Sequence, residues 1–167
     1  MKKLLMKACL GLSLFVAATA PAFPSHAAEY VQGTGTTEKV ATPTTPTLNP
    51  STYFTGKAYV LPLFGEIGST TYGGTYVTFT PGARSHWYTH SGGQRLLVVK
   101  GTLWTQVWNG PKTIAKEGDT VWCPPGIKHW HGAPPNEEVL QLTLTESRNG
   151  ANVTWLEPVT DAQYNSK

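Results

Sequence analysis

From Tyr53 onward no stretch of the chain repeats its apolar residues at helical spacing; short β-favouring runs alternate with turn residues instead. "KAYVLPLFG", "GTYVTFT", "QRLLVVKG", "LWTQVWN", "TVWCPP", "EVLQLTLTE" and "NVTWLE" are rich in Val, Thr, Tyr, Trp and Phe, which suit a pleated, half-buried surface. Between them stand PG, SGG, NGP, EGD, PPG and RNG, residues that reverse a chain. A chain punctuated this often hides its apolar faces by stacking or closing sheets, so the expectation is a single all-β domain, a sandwich or barrel, over residues 53–160. The tail 161–167, within "PVTDAQYNSK", has room for one helical turn or cap.

The first residues read differently. Lys2, Lys3 and Lys7 precede an apolar run from Cys9 to Ala20, and small residues follow around Ser25, Ala27 and Ala28. That is the order of a secretory signal peptide, here residues 1–28, and predicts an exported protein, periplasmic or extracellular. The run falls short of the roughly 20 residues that span a bilayer, and no later stretch reaches it, so no membrane partner is expected. Ten Asp and Glu stand against thirteen Lys and Arg, three of which belong to the leader. The balanced remainder offers no electrostatic footprint for nucleic acid. Without Cys9, Cys123 has no cysteine to pair with, and stability rests on an ordinary core. Residues 29–52, dominated by Thr, Pro and Gly, bury too little to offset their ordering entropy and read as a flexible or extended arm.

Two spaced motifs carry the chemistry. In the first, Gly82 is followed by Tyr88, His90, Gln94 and Gly101; in the second, Gly118 is followed by "PPG" at 124–126 and by His129. This pairing resembles the two motifs of the cupin superfamily, and "TPGARSHWYTHSGGQ" and "GDTVWCPPGIKHWHGA" are similar to its small single-domain bacterial members, some of them manganese-dependent hydroxynitrile lyases. The resemblance implies a jelly-roll β-barrel, pairing into a homodimer, and a divalent transition metal held by His90, Gln94 and His129. Manganese is the first expectation, with iron, nickel or zinc also compatible with imidazole ligands. Tyr88 stands where the family usually has its first histidine. It reads as a coordinating phenol, a substrate-facing group, or the mark of a site that has given up its metal.

Strand geometry supports the same convergence. Side chains two apart share a face, so Tyr88 points with His90 and His129 with His131, while "SGG" lets the chain reverse and brings Gln94 beside His90. Buried imidazoles and amides left unpaired cost on the order of 1 to 3 kcal/mol each, and a metal ion is an economical partner. His86 lies about 13 Å along the strand from His90 at about 3.3 Å per residue, too far to share an ion without a bulge.

The remaining polar groups have two readings each. His131 is a proton carrier near the metal or a hydrogen-bonding residue that orients its loop. Gln141 stands where the similar hydroxynitrile lyases carry a catalytic histidine, which removes that base and leaves an amide able to hold a substrate oxygen. Trp87 and Trp130 alternate with the inward residues and belong to packing on the opposite face, Cys123 to the apolar interior, and Arg84 to a turn. Together these predict a metal-dependent lyase or decarboxylase-like enzyme acting on a small carbonyl, hydroxy or carboxylate compound, with the metal as Lewis acid and His131 or Tyr88 moving a proton. The competing reading is a binding module whose barrel holds a small ligand without metal.

Overall fold

The computed structural model describes residues 45–49, 51–66 and 69–166. The leader and the arm as far as residue 44 lie outside them. In chain order the strands are β1 (Thr47–Leu48), β2 (Phe54–Thr55), β3 (Ala58–Phe64), β4 (Tyr72–Phe79), β5 (Arg84–Ser85), β6 (Tyr88–His90) and β7 (Gln94–Lys100). They continue with β8 (Thr102–Val107), β9 (Lys112–Lys116), β10 (Thr120–Cys123), β11 (His129–Gly132), β12 (Val139–Glu146) and β13 (Val153–Trp155), before one helix, α1 (Asp161–Tyr164).

Two curled antiparallel sheets form the jelly-roll barrel. One runs β1-β3-β4-β12-β7-β10; the other runs β13-β6-β11-β5-β2, with β8 also paired to β11 and β9 to β8. The alternation visible in the sequence sets the faces. In β12, Val139, Gln141 and Thr143 are buried, whereas Leu140, Leu142 and Leu144 lie on the outer side. Facing inward beside them are Val77, Phe79, Leu96 and Val98, which meet Phe54, Leu103 and Ala133 in one apolar cluster. Each fully buried Val, Leu or Phe side chain of this kind contributes roughly 1.5–3 kcal/mol relative to exposure.

Two features go beyond the sequence reading. Thr47 and Leu48, inside the segment expected to be an arm, pair with Tyr59 and Val60 and extend the first sheet by an edge strand. The backbone ladder decides this, since both side chains remain exposed. The second feature lies between β5 and β6. Arg84 pairs with Gly132 and Tyr88 with His129, so one residue more lies between the partners on this side than on the other, a β-bulge at His86–Trp87. It lets Arg84 and Trp87 both face away from the barrel.

The tail closes that outer side. Thr160 caps α1 in a reciprocal capping box with Gln163. Tyr164 and Val159 pack on Trp87 and Trp130 in a second cluster, with Trp104 against it. Arg84 donates to the Val159 carbonyl at 3.0 Å and to Asp161 at 2.5 Å, and so braces the tail. Among the described residues no helix is long and apolar enough to cross a membrane.

Candidate functional site

The turn between β6 and β7 aims the first motif. Gly93 sits at φ +86°, where a side chain is strained, and a Cβ there would meet Trp122 at 2.4 Å and the Cys123 carbonyl at 2.9 Å. This tight reversal places Gln94 opposite Cys123 of β10 and Thr145 of β12. The second motif is tied to the first by Gly126 of the PPG turn, whose N–H donates to the His90 carbonyl at 2.8 Å. His129 then pairs with Tyr88 across β11 and β6.

The result is a ring of three imidazoles around one phenol. The Tyr88 ring centroid lies 5.1 Å from that of His90, 4.4 Å from His129 and 5.7 Å from His131. His90 and His129 are 5.7 Å apart, and His129 and His131 5.0 Å. Nδ1 of His90 lies 2.6 Å from the Asn152 carbonyl, and Nδ1 of His129 lies 2.6 Å from the Ile127 carbonyl. A carbonyl can only accept, so both Nδ1 atoms carry the proton and both Nε2 atoms present a lone pair. Those two Nε2 atoms are buried with no hydrogen-bond partner, as are Nδ1 of His131 and Oε1 of Gln141. Lone pairs held in this way by backbone carbonyls are the arrangement in which imidazole receives a metal ion.

The electrostatics keep every member neutral. Burial lowers His90, against the opposing pull of the Asn152 carbonyl. Burial brings His129 down to about 4, with the neighbouring His90 adding to the effect. His131 lies well below the usual imidazole range, through burial and then through His129 and His90. Burial also pushes the Cys123 thiol up to about 12, and burial followed by Cys123 raises the Tyr88 phenol well above its ordinary value. Tyr88 is therefore a protonated donor at neutral pH, and its hydroxyl donates to Oε1 of Gln94 at 3.1 Å. The Gln94 amide nitrogen in turn donates to Thr145 at 3.2 Å.

A cavity of about 210 Å³ opens beside this ring. Phe54, Val60, Val77, Phe79 and Trp155 form its apolar wall, with Tyr53 stacked on Trp155 at 4.8 Å, and Tyr88 and Gln141 are among its polar residues. The six residues singled out from sequence thus fall in two groups. Tyr88 and Gln141 line the cavity, and His90, Gln94, His129 and His131 surround or adjoin Tyr88. His131 is completely buried and its Nε2 lies 3.7 Å from the sulfur of Cys123. His86 stays outside this ring; its backbone N–H donates to Tyr53.

Sequence reasoning missed Cys123 and Trp155. Cys123, His129 and His131 each offer a ligand atom within 4.8 Å of the others, and this buried group can hold a metal ion. The signal was present in strand parity, since Cys123 lies opposite Gln94 and shares its inward face. Trp155 pairs with Tyr88 across β13 and β6, a contact that needs the sheet order to be known.

The cupin domain family matches residues 75–145. The (R)-mandelonitrile lyase of Granulicella tundricola is 44% identical over 115 residues, covering 69% of this chain and 88% of that protein. A cupin-like protein from Thermotoga maritima superposes with a TM-score of 0.67 at 38% identity, over 70% of this chain and 89% of that one. The DMSP lyase DddQ from Ruegeria pomeroyi shares the fold alone, with a TM-score of 0.53 at 18% identity over 65% of this chain and 54% of its own.

Proposed function

This chain belongs to the cupin family, and from that premise we propose that it is an exported, metal-dependent lyase acting on a small molecule with a carbonyl, hydroxyl or carboxylate group. The observation that carries the reading is the pair His90 and His129, each buried with Nδ1 committed to a carbonyl and Nε2 unpartnered. Together with the oxygen of Gln94 they fit a divalent transition ion, manganese first among imidazole- and amide-compatible metals. Bound there, such an ion supplies Lewis acidity that polarises a substrate oxygen.

The chain's own residues do the rest. Tyr88, protonated at neutral pH, turns its hydroxyl to a substrate oxygen when the contact with Gln94 opens, and donates a hydrogen bond rather than acting as base. Gln141 offers an unpartnered amide oxygen to a substrate hydroxyl at the cavity wall. The aromatic and aliphatic wall excludes water and seats an apolar body. The name of the Granulicella relative supports lyase chemistry on a cyanohydrin, with the difference that Gln141 of β12 stands where the resemblance to the hydroxynitrile lyases implies a catalytic histidine.

The test is metal content together with turnover. Purified protein loaded with Mn(II) is expected to hold close to one equivalent and to release benzaldehyde from mandelonitrile faster than the background, with both lost in His129→Ala. Less than about one tenth of an equivalent after exposure to Mn, Fe, Ni and Zn would overturn the reading. The apolar cavity favours one alternative, a metal-free binding module, which predicts thermal stabilisation by small organic ligands and none by metals.

A further inference from the structure

The group of Cys123, His129 and His131 is not the ligand set of the proposed lyase centre, with which it shares only His129. Cys123 and His131 leave the cavity lining to others and lie completely or almost completely buried. Around a tetrahedral ion, a sulfur at about 2.3 Å and a nitrogen at about 2.1 Å stand roughly 3.6 Å apart. The observed separation of Cys123 Sγ and His131 Nε2 is 3.7 Å, already the edge of such a tetrahedron, and His129 places a donor within 4.8 Å of both. The environment adds a reason for an ion, since Nε2 of His129 is buried without a partner. Thiolate with two imidazoles is a soft donor set that selects zinc or cuprous ions over manganese.

We propose that Cys123, His129 and His131 form a second, inner metal seat for a thiophilic ion, mutually exclusive with the seat of His90, Gln94 and His129. Exclusion follows from the single lone pair on Nε2 of His129, which serves one ion at a time. Filling the inner seat forms a metal–sulfur bond and breaks the Cys123 S–H bond, releasing one proton to the buffer without any change of oxidation state. Zinc would therefore act on the lyase centre by withdrawing its histidine, and that consequence rests on the lyase reading while the seat itself does not.

Cobalt(II) titration of the full chain in a Cys9→Ser background, where Cys123 is the only thiol, reads the seat directly. Expected is a near-ultraviolet sulfur-to-cobalt charge-transfer band that persists in His90→Ala and is absent from Cys123→Ser and Cys123→Ala. Zinc affinity should fall about tenfold or more in both cysteine variants and stay within a few-fold in His90→Ala. Zinc added to the manganese-loaded protein should release manganese, and about tenfold more zinc should be needed in Cys123→Ser, where only direct competition at the outer seat remains; an equal zinc requirement in the two proteins would overturn the exclusion. Cobalt bound with visible d–d bands and no charge-transfer band in the parent protein would overturn the inner seat while leaving the outer one standing. No cobalt bound at all would overturn both.

Discussion

Tyr88 is the residue on which the metal chemistry turns, because its hydroxyl hydrogen-bonds the Gln94 oxygen that an ion would also use. Replacing it by histidine adds an imidazole to the set of His90, Gln94 and His129 and frees that oxygen. Tyr88→His is expected to raise manganese affinity at least tenfold in a competition titration; no gain would mean that the position does not face the ion. The buried histidines also set an acid limit for the metal-free protein. An unfolded chain takes up a proton at His129 below about 6.5, whereas the folded chain refuses it until about 4, so folding stability is lost as pH falls through that window. His90 and His131 are shifted in the same direction. Each such group contributes up to about 1.4 kcal/mol per pH unit, and urea midpoints measured in the presence of chelator should drop steeply from pH 6.5 toward 4.

Between the sheets and the tail, β11 is the element with most at stake. Its histidines face the interior while Trp130 faces Tyr164, whose hydroxyl donates to the Ala133 carbonyl at 2.7 Å. Tyr164→Ala removes that ring and that bond and should cost about 3 kcal/mol in chemical denaturation; a loss under about 1 kcal/mol would show the tail to be an ornament. Much of this was legible beforehand. Alternation assigned His90 and His129 to one interior and Trp87 and Trp130 to the exterior, because side-chain parity is local. The edge strand Thr47–Leu48 and the bulge at His86–Trp87 were not legible, since each depends on a partner strand remote in sequence. Cys123 was read as apolar filling because a thiol declares itself a ligand only when its neighbours are known.

On the scale of the barrel, the outer face of the first sheet is conspicuously apolar for a surface. Leu61, Tyr76, Leu142 and Leu97 stand in register across four strands, with Trp122 on the next, and Leu97 and Trp122 are exposed. Five strands spaced about 4.8 Å give a patch about 20 Å wide, the scale of an interface that buries about 800 Å² per partner. A second copy matches such a face by a two-fold axis, so sedimentation equilibrium should find a dimer and Leu142→Arg a folded monomer. A monomeric parent protein would remove this expectation. The docking of α1 behind β11 has a practical corollary. Whatever hauls on the carboxyl end, whether a purification handle, a resin or a fused neighbour, tugs through Tyr164 and Trp130 on the strand that carries His129 and His131, so a handle appended after Lys167 risks disturbing the very occupancy an experimenter sets out to weigh.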